Sequence, residues 1–254
     1  DYEIPFFFFF KRHPFHHPLA ELLRSVLDVS IERWSYDALF RCFKTDLFAL
    51  SRDEVDRLEN YVLEFGIRGT KWTSGQEWTF IRRFSLGEDS ELSELEQDYL
   101  QEMNEIRSKA AMPLIMFEEQ IKLATTVKEK TIGLYQLLDV LGVPEQLKQW
   151  ADMAEVAGNL EQAREHRQLW DNVVLLFEQL VEVCGEQPMD IKDYRDMIHE
   201  GLEGLILSLI PPGLDYVTIS SMDQTSLENV PGIYVLGAND GVLPMRGRGE
   251  GLLT

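Results

Sequence analysis

Two short β-rich runs, Tyr216 to Ser220 and Ile233 to Leu236, close a chain that otherwise reads as helix from residue 17 to 208. Apolar runs ended by Gly and Asn or Asp, here Gly237 and Asn239-Asp240-Gly241, are the pattern of buried parallel strands. Strand amides and carbonyls need a neighbouring strand to pair with, and a long helical stretch cannot supply one. The one other β-like run is Ile4 to Phe10, with five consecutive phenylalanines and Pro5 marking a start or an edge. Left exposed, that run would be an aggregation hazard. The opening and closing segments are therefore expected side by side in one sheet, with the α-helical mass looping out between them.

Helical periodicity organises the middle. Pro18 fits a first helical turn, followed by Leu19, Leu22, Leu23, Val26 and Leu27 on one face. Ser35 suits a cap for Tyr36, Leu39, Phe40, Phe43 and Leu47. Ser51 and Glu54 have the spacing of a capping box before Val55, Leu58, Val62 and Phe65, and Gly66 supplies the stop. Residues 67 to 91 read as a loop region holding Gly69, Gly75, Gly87, Trp72, Trp78 and Phe80. A second block carries Leu92, Leu95, Tyr99, Met103 and Ile106. Pro113 then begins a long pattern through Phe117, Ile121, Ala124, Val127, Leu134, Leu138 and Leu141, ended by Gly142 and Pro144. A shorter helix over 145 to 157 is broken by Gly158-Asn159. Leu160 to Cys184 repeats the pattern with Trp170, Val173, Val174, Phe177, Leu180 and Val181. A turn from Gly185 to Asp190 leads to a last helix near Ile191 to Leu207, and Ile210 to Gly213 links it to the terminal β-runs. The fold class expected is mostly α with a small α/β part.

With 254 residues and 44% hydrophobic content the chain can build a core. A net charge of −20 repels phosphate at long range, so nonspecific nucleic-acid affinity is expected to be poor. Local contacts through backbone amides and hydroxyls remain open. Cys42 and Cys184 sit among apolar helical positions and read as free buried thiols of a cytoplasmic protein. No run is long and apolar enough to span a bilayer. The chain begins with Asp1 and stops at Leu252-Leu253-Thr254, and both ends read as cut from a longer protein.

Several motifs are missing from this stretch. It holds no Gly-x-x-x-x-Gly-Lys-Ser/Thr, no Gly-x-Gly-x-x-Gly and no Gly-x-Ser-x-Gly. Asp190-Ile191-Lys192 has the acidic-x-Lys spacing of a nuclease site, but Asp190 opens a helix, where a carboxylate serves as a cap. His13, His16 and His17 beside Lys11 and Arg12 match no standard metal site and are expected in a solvated loop, with contact to DNA phosphate the second reading. The acidic run Glu88 to Asp98 reads as a solvated helix face. Trp72 and Trp78 flank Gly75: they either stack on single-stranded bases or pin the loop to the core, and burial of large aromatics favours the second.

Two ends of the chain carry a family resemblance. Asp1 to Phe7 followed by His17 to Arg24 resembles the stretch that opens the second RecA-like domain of UvrD-like superfamily 1 helicases. Val217 to Ser221 resembles the strand entering helicase motif V, and Ile233 to Pro244 the next strand and turn. Trp34 to Leu47, Glu59 to Tyr61 and Leu160 to His166 are similar to the AddB-type subunits of AddAB helicase–nucleases. The resemblance implies a partial RecA-like (P-loop NTPase-like) domain carrying a large helical insertion. It divides the chain into 1–50, the first part of that domain, 51–208, the insertion, and 209–254, the return with motif V-like strands. Active superfamily 1 helicases carry Thr, His and Lys-Gly-Leu-Glu in motif V. Aligned back from Gly237, this chain has Ser221, Asp223, Ser226, Leu227 and Glu228, without the basic and glycine positions. The resemblance thus implies a helicase-like fold without motor action.

Further implications concern role and partners. The family resemblance implies DNA-strand guiding and scanning for the recombination hotspot Chi in double-strand break repair, with docking on an AddA-type motor/nuclease subunit in a heterodimer. It places ATP, magnesium and an iron–sulfur cluster elsewhere in the parent protein and assigns this stretch no cofactor, metal or catalytic residue. The candidate DNA contacts are Ser220, Ser221, Asp223, Gln224 and Thr225, a hydroxyl- and amide-rich loop at the carboxyl end of a strand, where α/β sheets place ligands. DNA binding is expected to be weak or confined to the full complex. The alternative is a helical protein–protein interaction module without nucleic-acid contact, which the charge and the amphipathic helices favour.

Overall fold

The computed structural model describes residues 6–9, 17–81, 92–205, 217–220 and 232–239. In chain order the elements are β1 (Phe6–Phe9), α1 (Pro18–Ile31), α2 (Tyr36–Phe43), α3 (Arg52–Phe65), α4 (Thr70–Thr73), α5 (Glu94–Leu123), α6 (Val127–Val140), α7 (Val143–Val156), α8 (Leu160–Cys184), α9 (Ile191–Gly204) and β2 (Val217–Ser220). The chain divides into two compact units. One unites its ends, Asp1–Phe10 with Ile210–Thr254, and the other is Lys11–Leu209.

In the end unit β1 pairs β2 in parallel, with Phe6 opposite Val217 and Phe9 opposite Ser220. The opening and closing segments therefore share a sheet, as their need for partners required. A parallel pair cannot be closed by a hairpin and needs a long crossover. The expected strand at Ile233 to Leu236 is not formed. These residues are irregular and exposed, Tyr234 to 94%. Their apolar pattern is strand-like, yet no described residue offers them a ladder of hydrogen bonds, and a strand does not exist without one.

Capping sets the helix starts in the other unit. The Ser35 side chain accepts from the Ala38 amide at the head of α2, and Ser51 with Glu54 closes the reciprocal box at the head of α3. Gly66 ends α3 at φ +58, where a Cβ would clash with its own backbone. In α1 the side chains Leu19, Leu22, Leu23, Val26 and Leu27 are all buried, against α2 and α9. Arg33 and Trp34 then turn the chain at positive φ. For a tryptophan that is a strained conformation, offset by its fixed side chain. The indole Nε1 donates to Glu118 at 2.8 Å and the ring stacks on Trp72 at 6.4 Å.

Two expectations for the second block are overturned. Pro113 does not begin a helix: it lies inside α5, which runs unbroken from Glu94 to Leu123. The break comes instead at Ala124 to Thr126, where Thr126 and Glu129 form a capping box that starts α6. The same corner is tied to the α8–α9 turn by Val127 N–H to Gln187 O, Lys128 N–H to Gly185 O and Met189 N–H to Thr125 O. Leu95 is 81% exposed. The buried stripe is Leu100, Met103, Ile106, Ala110, Leu114, Phe117 and Ile121, and packing along it outweighs the hydrogen bond that Pro113 removes.

The loop after α3 contains the short helix α4 and is fixed by its tryptophans. Trp72 and Trp78 are 1% and 3% exposed and meet edge to face at 4.9 Å. Arg107 of α5 lies over the Trp78 ring at 4.7 Å and donates to the carbonyls of Trp72 and Gln76. Asn104 pairs with both backbone groups of Trp78. These rings are core, and their faces are not available to stack on bases.

Candidate functional site

Parallel pairing puts the carboxyl ends of β1 and β2, at Phe9 and Ser220, on one edge. That is the edge from which ligand-binding loops leave an α/β sheet. Ser220 is the last residue of β2. Ser221, Asp223, Gln224 and Thr225, like the motif V-like Ser226, Leu227 and Glu228, lie outside the described residues.

His17 is not in a solvated loop. It is buried and caps α1, its Nδ1 accepting from the Leu19 amide at 3.0 Å. Its Nε2 meets His166 Nδ1 at 2.8 Å, so His17 carries the Nε2 proton and donates it to a neutral His166. Trp150 of α7 borders both rings. Burial, followed by the His166 charge, pushes the His17 pKa down to about 3, and burial lowers that of His166. Both imidazoles are thus neutral at pH 7 and lock the start of α1 to α8. His13 and His16 lie outside the described residues. Among the described residues no group of three His, Cys, Asp or Glu side chains gathers as a metal site.

Asp190 acts as the cap of α9, accepting from the amides of Lys192 and Asp193 at 2.7 and 2.9 Å. Those bonds to the carboxylate hold its pKa below the usual range. Cys42 and Cys184 are free, Cys42 fully buried. Desolvation pushes the Cys42 thiol up to about 12, which removes it as a nucleophile.

A cleft of about 290 Å³ opens between α1, α2 and α9, lined by Arg24, Asp28, Arg41, His199, Leu202 and Glu203. Asp28 is 6% exposed and held by Arg41 at 3.0 Å and Arg195 at 3.4 Å. Arg41 also binds Glu21 at 2.7 Å, and Arg195 binds Asp196 at 2.7 Å. Guanidiniums are matched by carboxylates, so the cleft presents no surplus positive charge to a phosphate. His199 Nε2 is buried there without a hydrogen-bond partner. Among the described residues lining it, no nucleophile stands beside a base, and the network reads as a tie between three helices. Sequence periodicity missed this cluster because its charges sit on helix faces otherwise filled with leucine.

No helix among the described residues is long and apolar enough to cross a membrane. No family model matches the sequence. Curated relatives do match it, end to end. The chain is 44% identical over 254 residues to the AddB subunit of the ATP-dependent helicase/deoxyribonuclease of Desulforamulus reducens, covering 100% of this chain and 22% of that protein. The protein of the same name from Heliobacterium modesticaldum is 46% identical over 254 residues, covering 99% of this chain and 21% of the relative. The one from Bacillus subtilis is 40% identical over 261 residues, covering 100% and 22%. The chain thus spans about a fifth of the length of the curated relatives it matches. Identity at this level along the whole chain matches it to an internal stretch, about a fifth, of AddB, the B subunit of ATP-dependent helicase/deoxyribonucleases.

Proposed function

We propose that this chain forms part of a helicase-like but non-motor subunit that guides a displaced DNA strand in double-strand break repair by homologous recombination. On this reading it belongs to a RecA-like domain interrupted by a helical insertion. Its passive tasks are to contact the exiting strand, to contribute to hotspot scanning and to dock on a motor/nuclease subunit. The loop from Ser220 through Ser221, Asp223, Gln224 and Thr225 offers hydroxyl and amide groups to that strand. ATP, magnesium and an iron–sulfur cluster would serve the longer protein outside this stretch.

The observation that carries the reading is the combination of end-to-end similarity to AddB proteins with the parallel pairing of β1 and β2. The altered motif V-like positions support a strand-guiding role over a motor role, because the basic and glycine residues of the motor loop are absent. The test uses the full two-subunit complex. Substituting Ser221→Ala and Gln224→Ala together should weaken crosslinking of the displaced strand to this subunit and blunt the hotspot response, with duplex unwinding retained. Unchanged crosslinking and unchanged hotspot response would remove the contact assignment.

A second reading, a helical protein-interaction module, draws on the net charge of −20 and on apolar side chains left exposed on α5 and α6. Salt-sensitive single-strand binding by this chain alone would count against it.

A further inference from the structure

The seam between α5 and α6 carries an apolar face that the core does not use. Gln120 on α5 donates to Gln136 on α6 at the solvent side of the seam. Residues three or four positions apart share a helix face. Met116 and Leu123 therefore flank Gln120, and Ile132 and Val140 flank Gln136. Met116 is 55% exposed, Leu123 82% and Val140 59%, and Met112 extends the row by one more turn. From Met112 to Leu123 the row runs about 16 Å, roughly three helical turns. Gly133 permits the close approach: a Cβ there would stand 3.3 Å from the Gln120 side chain.

The charge around this face is one-sided. Lys109, Lys122 and Lys128 are each spent on an ion pair, with Glu54, Glu118 and Glu186. Among the described residues the carboxylates Glu119 and Asp139 hold no ion pair. Methionine-rich, adaptable apolar surface rimmed by unpaired carboxylates fits an amphipathic helix whose apolar stripe is flanked by Lys or Arg.

We infer that the α5–α6 face is a docking surface for a basic amphipathic helix supplied by the partner subunit. The inference rests on the reading of the chain as part of a two-subunit complex. The apolar anchors would seat on Met116, Leu123, Ile132 and Val140. The Gln pair keeps an amide N–H and a carbonyl free for the partner's polar groups, and Glu119 and Asp139 would meet its cations.

The experiment measures the affinity of the full-length subunit for its motor partner at low and high salt. Met116→Glu with Val140→Glu should weaken binding at least tenfold, which corresponds to about 1.4 kcal/mol. Glu119→Lys with Asp139→Lys, at solvated positions that leave the core untouched, should weaken it severalfold and flatten the salt dependence. A photocrosslinker at residue 116 should capture a Lys/Arg-rich helix of the partner. Wild-type affinity in both variants overturns the inference, as does crosslinking only within the same polypeptide or to a second copy. If the two wild-type subunits do not associate at all, the two-subunit reading fails along with it. Association without any effect of the variants removes this face alone.

Discussion

A single buried imidazole pair shows how residue chemistry sets the conditions under which the helical unit is stable. His17 titrates near 6.5 when unfolded and near 3 when folded, because burial and His166 disfavour its charge. The folded state therefore binds fewer protons than the unfolded state below about pH 6.5. The stabilising contribution is complete above that pH and declines as pH falls toward 3. Melting temperature should stay level from about pH 8 to 7 and drop between about 6.5 and 5, before most carboxylates titrate. The His17→Asn, His166→Gln double substitution should flatten that drop, and an unchanged slope would show that the pair does not control it. Arg107 allows a second residue-scale prediction. Its guanidinium binds two loop carbonyls and covers Trp78. Arg107→Ala should cost about 2–4 kcal/mol, the range for losing charged hydrogen bonds together with packing, and should red-shift tryptophan emission as the loop detaches. Arg107→Lys should rescue little, since one ammonium cannot span both carbonyls.

Elements follow local signals until packing overrides them. The boxes at Ser51 and Thr126 begin α3 and α6 where a hydroxyl and a glutamate stand three residues apart, a pattern written in the sequence. Read by its apolar period alone, Ala124 to Val127 looks continuous, because those side chains keep helical spacing. The capping box and the backbone bonds to Gln187 and Gly185 break it. Pro113 errs in the opposite direction. Proline suits a first turn, yet α5 continues through it because its stripe from Leu100 to Ile121 is buried on both sides of the residue. A helix-interior proline costs about 3 kcal/mol relative to alanine. Pro113→Ala should therefore raise stability, by about 1–3 kcal/mol with relaxation counted, in urea denaturation followed by circular dichroism. A loss of stability would mean that the ring itself packs in a way its missing N–H does not reveal.

Across the whole molecule, stability is unevenly spread. The helical unit holds the buried core, while the described sheet is one pair of four-residue strands. Two-stranded sheets of that length are marginal in water. In native-state hydrogen exchange of this chain, the amides of α1 and α8 should be protected to near the global unfolding free energy, and those of β1 and β2 far less. Equal protection would require a larger sheet than the described strands provide. The exposed run Ile233 to Leu236 points the same way, since apolar residues with strand periodicity stand without a ladder.

While the short helix α4 lay in a stretch that reads as loop, the sequence by itself determined the long helical segments, most of their caps and stops, the pairing of the two chain ends, and the resemblance to AddB-type subunits. These depend on hydrogen bonds and apolar spacing within a few turns, or on the need of a strand for a partner. Tertiary structure alone decided that Pro113 is interior, that Trp72 and Trp78 are core, that His17 is buried against His166 and that Asp28 is ringed by arginines from α2 and α9. For the tryptophans, His17 and Asp28 the deciding neighbour lies on another element, from 13 to 167 positions away in the chain. Local propensity carries no information across that distance; packing and desolvation do.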